Sequence, residues 1–196
     1  TRDGPSGAGG VDFNYGGASD LQLRATLPLA YDAPRDGGGG TGIGHVELAA
    51  KYRFLHQDAD GLDVSVFPRV FLPSLSDRAG DRHASLLLPL WVGKTWDDWA
   101  VFGGGGCVLN KGGDSRDYCL AGAALTRQVL PALNLGAELY HQTADTRGGK
   151  PSTGLGVGAI YDLSETYHLL ASFGPGIQNA AETDRYTWYM ALEFTF

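Results

Sequence analysis

YTWYMALEFTF, Tyr186 to Phe196, is the stretch that decides the fold. Read with a period of two, Tyr186, Trp188, Met190, Leu192, Phe194 and Phe196 make one apolar row, and Thr187, Tyr189, Ala191, Glu193 and Thr195 make a more polar one. Side chains alternate faces in this way only along an extended chain, so the stretch is a strand. In a soluble sandwich the apolar row would face a core. A strand that finishes on an aromatic, in a chain that repeats the pattern many times, points instead to an apolar face turned toward lipid. An edge strand of a secreted sandwich is the alternative.

Working back from that strand, the same alternation recurs. Residues 167–178 and 153–163 read as strands, the latter with Leu155, Val157, Ala159 and Tyr161 outward and glycines inward. In 133–142, Leu133, Leu135, Ala137 and Leu139 oppose Asn134, Gly136, Glu138, Tyr140 and Gln142. Strands at 118–129, 99–110 and 83–96 precede it; successive glycines leave the facing of 99–110 open. Then come 62–73, with Leu62, Val64, Val66, Val70 and Leu72 outward, 45–57, 21–32, and a strand around 11–15. Pro28 cannot donate a ladder hydrogen bond, so a local bulge is expected in 21–32. Asp60-Gly61 reads as a two-residue type I′ hairpin, which needs positive φ at both central positions. Trp96 and Trp99 flank a tight turn at Asp97-Asp98, as suits indole rings at a membrane interface.

The connections alternate in length. Ser19-Asp20, Asp60-Gly61, Asp97-Asp98, Pro131-Ala132 and 164–166 are short, whereas 33–44, 74–82, 111–117, 145–152 and 179–184 are longer. Outer-membrane barrels sort short periplasmic turns from long extracellular loops in this manner. The expected fold is therefore all-β: one domain over 1–196, an antiparallel up-and-down transmembrane β-barrel with a periplasmic C-terminus. Eleven strands place 1–10 outside, so twelve strands with the first absent or trimmed is the expectation, and ten the alternative. Residues 1–10 carry no signal-peptide pattern, and the chain reads as mature and trimmed.

Composition agrees. The chain of 196 residues is 43% hydrophobic, yet it holds no apolar run near the ~20 residues a membrane helix needs. Thirty glycines fall in loops and inside strands, where barrels use them to bend a sheet or leave room inside. Fifteen Lys and Arg against 22 Asp and Glu give a net charge of -7, and without a basic patch nucleic acid is not an expected partner.

The inferred lumen row carries Arg24, Glu47, Lys51, Arg53, Asp63, Arg69, Glu138, Asp162 and Glu193, interleaved with Phe67, Phe71, Trp91, Tyr140 and Tyr189. Charges of both signs inside a barrel pair across it. They either stiffen a closed lumen or line a selective path for a small, partly apolar solute. Arg69, between Phe67 and Phe71, can steer a solute's polar group in an open lumen; in a closed one it should pair with a carboxylate. An enzyme is not expected. The five histidines are scattered along the chain, no G-x-S-x-G occurs, and the shared face of His83 and Ser85 is a common coincidence. Nothing has metal-ligand or phosphate-loop spacing, so neither metal nor cofactor is expected. Cys107 and Cys119 come opposite each other if their hairpin is centred near Gly113, and either bond in an oxidising envelope or pack as small apolar residues.

The terminal strand also resembles that of bacterial outer-membrane barrels, which commonly ends in Phe and is read by the assembly machinery. Phe194 and Phe196 would be that signal. Several phrases resemble one family: DFNYG (12–16), LQLRATLPLAYD (21–32), KYRFLHQ (51–57), VFPRVFLP (66–73), LTRQV (125–129) and LGAELYHQT (135–143). These are similar to the outer-membrane proteins of the MetA-pathway of phenol degradation family. The resemblance implies a monomeric outer-membrane barrel in contact with lipid and the assembly machinery, acting as a passive channel or uptake protein for small hydrophobic or aromatic solutes. A structural or partner-binding barrel with a closed lumen and functional extracellular loops is the alternative.

Overall fold

The computed structural model describes residues 6–32, 40–73, 83–111 and 115–195. They form one antiparallel sheet of thirteen segments. In order these are β1 (Ser6–Ala18), β2 (Leu21–Asp32), β3 (Gly40–Ile43), β4 (Glu47–Leu55), β5 (Asp63–Val66), β6 (Arg69–Phe71) and β7 (Ser85–Trp96). There follow β8 (Trp99–Asn110), β9 (Tyr118–Leu130), β10 (Leu133–Gln142), β11 (Ser152–Asp162), β12 (Tyr167–Gln178) and β13 (Tyr186–Phe194). Sheet order follows chain order throughout, an up-and-down meander. β3 and β4 both lie along β2, and β5 and β6 both bridge β4 to β7, so the segments make eleven passes.

An odd number of alternating passes has a geometric consequence. β1 and β13 run in the same direction, so the antiparallel pairing used everywhere else cannot join them directly. A further strand between them would be antiparallel to both. Among the described residues no pairing links β1 to β13.

The two broken passes are broken by proline chemistry. Pro28 keeps regular register with Gly10 on β1, so β2 itself does not bulge. The irregularity falls in its other neighbour instead: β3 ends at Ile43, β4 begins at Glu47, and between them Gly44 N–H donates to the Pro28 carbonyl. Strand pairing also starts earlier than expected, at Gly40, within the segment read as loop. In the pass read as 62–73, Pro68 lacks a donor and separates β5 from β6. Phe67 N–H there donates to the carbonyl of Pro89.

The turn at 56–62 is longer than a two-residue hairpin. Gln57–Asp60 forms a helical turn, α1, closed by Gly61 in the left-handed region at φ 82°. Asp60 is absent from the residues with positive φ. Side chains stabilise the turn: Asp60 accepts from His56 N–H and Asp63 from Gln57 N–H. The long connections at 33–39, 74–82 and 112–114, and Phe196, lie outside the described residues.

Cross-strand partners share a face, so register assigns every side chain. On the outer face Phe13, Leu29, Val157, Trp188 and Met190 are each more than half exposed, up to 75% at Trp188. Among the described residues only Val64, Phe67, Leu87, Val108 and Ala144 are buried hydrophobics. A sheet of this size with so small a core and so much outward apolar area is built for an apolar surrounding rather than water. Val64 departs from the expected exposed row: it is buried between Leu55 and Val92. The facing of β8 is settled by Val108, inward and 2% exposed, against Cys107 and Leu109 outward. Cys107 and Cys119 are register partners joined by a disulfide, with Cα atoms 3.9 Å apart. Trp96 and Trp99 pair across their turn, and the Arg127 guanidinium lies 5.0 Å over the Trp99 ring.

Candidate lumen site

On the inner face of the first passes, alternation brings four charged side chains into one zigzag. Asp12 of β1 and Arg24 of β2 form an ion pair at 2.6 Å, and Arg24 Nε also donates to Thr26 at 3.2 Å. Glu47 of β4 lies 3.9 Å from Arg24 Nε and 3.8 Å from Arg69 Nη1 of β6. The Arg69 guanidinium stacks at 4.3 Å over the ring of Phe67, a cation–π contact.

This ladder is neutral in sum but incompletely bonded. Glu47 is 8% exposed and sits between two guanidiniums, yet its Oε1 accepts no hydrogen bond, and Arg69 Nε donates none. Buried polar groups are nearly always paired, so these two atoms are where the polar contacts of the ladder are incomplete. Arg69 thus has the Phe67 ring beneath it and the Glu47 carboxylate beside it, the latter being the partner expected of it in a closed lumen.

The remaining lumen candidates separate into distinct groups. Phe71 is the register partner of Glu47, Trp91 of Gly104, and Lys51 of Gln22. Arg53 and Asp63 lie at the turn end of their passes, where Arg53 bridges Asp20 at 3.1 Å and Asp63 at 3.2 Å and His56 Nε2 meets Asp20 at 2.7 Å. They tie the β1–β2 turn to α1 rather than line the ladder. On the later passes, Tyr140 reaches over Gly154 to a hydrogen bond with Thr187 of β13, 3.2 Å away. Asp162 pairs with His168 at 2.6 Å, and Glu193 is the next register partner of His168. Glu138 lies across Gly156, and Tyr189 faces the same concavity.

Asp12, Asp20, His56, His168 and Thr187 belong to these groups and were not among the sequence candidates. Asp12 was legible, since the alternation of Val11, Phe13 and Tyr15 turns it inward. Asp20 was not, because its partners are more than thirty residues away.

The Asp20 carboxyl titrates below the usual carboxylate range, held there first by its hydrogen bond to His56, against the opposing effect of burial, and with help from Arg53. A depressed carboxylate contributes stability that is fully present above its unfolded pKa, ~3.9, and is lost as pH falls through the lower folded value. Urea unfolding followed downward from pH 5 should therefore show a stability loss that Asp20→Asn flattens. An identical acid limb in the variant would mean that the cluster does not hold the turn.

Four of the five histidines have assigned hydrogen-bond partners. His45 Nδ1 bonds the Leu72 carbonyl, and His56 and His168 serve carboxylates. His141 Nδ1 meets Thr153 Oγ1 at 2.8 Å, but that hydroxyl gives its proton to Gln178 at 2.6 Å, so His141 is not its base. Among the described residues no group of three His, Cys, Asp or Glu can hold a metal ion.

No protein-family model matches the chain, and no curated protein does. Among solved structures it is similar to an outer membrane channel from Pseudomonas putida F1, with 16% identity and a TM-score of 0.70. The match covers 96% of this chain and 82% of the channel. At that identity the likeness speaks to the fold: an all-β, up-and-down sheet of the outer-membrane channel type.

Proposed function

We propose that the protein is an integral barrel of the bacterial outer membrane, its C-terminus periplasmic, that passes small solutes passively. The observation that carries this reading is the ladder of Asp12, Arg24, Glu47 and Arg69 on the inner face, with the Arg69 guanidinium over the Phe67 ring. A solute with a small apolar body and one polar group meets a ring for the first and a guanidinium or carboxylate for the second. The exposed apolar outer row supports the membrane setting, and the channel of like fold supports transport. Hydrophobic or aromatic solutes are suggested only by the resemblance of the strand phrases to the phenol-degradation family. The same reading includes a monomer, recognised by the assembly machinery through Phe194 and Phe196.

A closed barrel with partner-binding loops is the second reading, favoured by Phe67, Leu87 and Val108, which are all buried on the inner face. Planar-bilayer recording of the purified protein separates the two. The channel reading expects discrete conductance steps and faster entry of phenol into liposomes. Neither signal in a folded, inserted sample would overturn it in favour of the closed barrel.

A further inference from the structure

The inner face of β8 to β13 differs in charge from that of the earlier passes. Register turns Glu138, Asp162 and Glu193 inward and turns no Lys or Arg inward; Arg127, the one cation on these strands, lies outside on Trp99. Asp162 has His168. Glu138 makes no ion pair or hydrogen bond among the described residues, and it is exposed.

Beside Glu138 is a cavity of about 220 Å³. Its floor exists because the inward positions are small: Ala124, Gly136 and Gly158 leave the backbone bare. Its walls are Phe102, Leu170 and Tyr189, so the space is apolar with two aromatic rings and one carboxylate at its edge. Gly156 leaves room for that carboxylate, since a Cβ there would meet the Glu138 Oε1 and Cγ atoms.

We infer that this cavity is a binding station for a small organic ammonium ion, an apolar body carrying one protonated amine. The body replaces water against Phe102 and Leu170, the charge sits by Glu138, and the faces of Phe102 and Tyr189 favour a cation over a neutral group of equal size. An anion is disfavoured by Glu138 and by the lack of any cation on this wall. The station is distinct from the Arg24 and Arg69 ladder and does not require that the lumen conduct.

The test uses the full chain in detergent micelles, with 2-phenylethylammonium, the neutral 2-phenylethanol and the anionic 3-phenylpropionate as probes in ligand-observed NMR titrations. Binding of the ammonium about tenfold tighter than the alcohol is expected, from one carboxylate and two ring faces, with the anion weakest. Glu138→Gln should erase the advantage of the ammonium, while Glu193→Gln, off the cavity, should keep it. Equal affinity for ammonium and alcohol, or an advantage that survives Glu138→Gln, would overturn the inference. Because binding is read without conductance, silent bilayers would defeat the channel reading alone. Conduction with no ammonium preference would defeat the station alone.

Discussion

Gly106→Ala is expected to reduce the folded, heat-modifiable fraction of the protein far more than a methyl added at a strand glycine with open space above it. A Cβ at Gly106 would meet the Leu88 carbonyl oxygen and fall 2.5 Å from Pro89 Cα, both backbone atoms of β7 that no rotamer change can move aside. The same holds at Gly174, where a Cβ would meet the Leu155 carbonyl oxygen and come within 2.7 Å of Gly156 Cα. Relief requires the strands to part, and overpacking of this kind costs about 3 kcal/mol or more. Gly9→Ala is the matched control, also in a strand, with nothing within 4 Å of the added carbon. Gel mobility without heating and urea titration in micelles would read the difference. Equal folded fractions and midpoints for Gly106→Ala and Gly9→Ala would mean that β7 and β8 do not approach as closely as the geometry requires.

These glycines also show where the sequence was readable. Every pass was legible from period-two alternation, because a sheet with one apolar face repeats its pattern at each strand, and the facing of Leu23, Leu48, Leu139 and Met190 follows from it alone. The breaks were less legible. Pro28 advertises a missing donor, but whether its own strand bulges or its neighbour stops is decided across the sheet, at Gly44. Pro68 was read as part of a continuous strand because alternation survives the gap between β5 and β6. In β8, four successive glycines hide the alternation that would assign a face, and only their partners on β7 and β9 restore it.

For the site, sequence gave the row but not the pairing. Arg24, Glu47 and Arg69 each stand at inward positions of their own strands, yet nothing local says that Glu47 falls between two guanidiniums; that follows from the register of β4 against β2 on one side and β6 on the other. Small residues were harder still. Gly136 and Gly158 looked like room inside a barrel, and only the fold turns that room into a cavity with Glu138 at its edge.

Glu47→Gln is expected to destabilise the folded barrel by about 3 kcal/mol, as removing one partner of a buried ion pair does. Among the described residues its carboxylate is the only one within ion-pair distance of Arg69, whereas Arg24 keeps Asp12 in the variant. The uncompensated charge after substitution is therefore that of Arg69, held at 23% side-chain exposure over Phe67. Arg69→Met should cost less, about 1 kcal/mol, because Glu47 retains Arg24 and the methionine stem still covers the Phe67 ring. In the double variant the stranded charge is gone, and an apolar side chain packs where a guanidinium stood, so most of the Glu47→Gln loss should be recovered. Urea midpoints of the four proteins in the same micelles measure the coupling directly. Losses that simply add would show that Glu47 and Arg69 do not act on each other, and the inner ladder would then end at Glu47, with Asp12, Arg24 and Glu47 as its members.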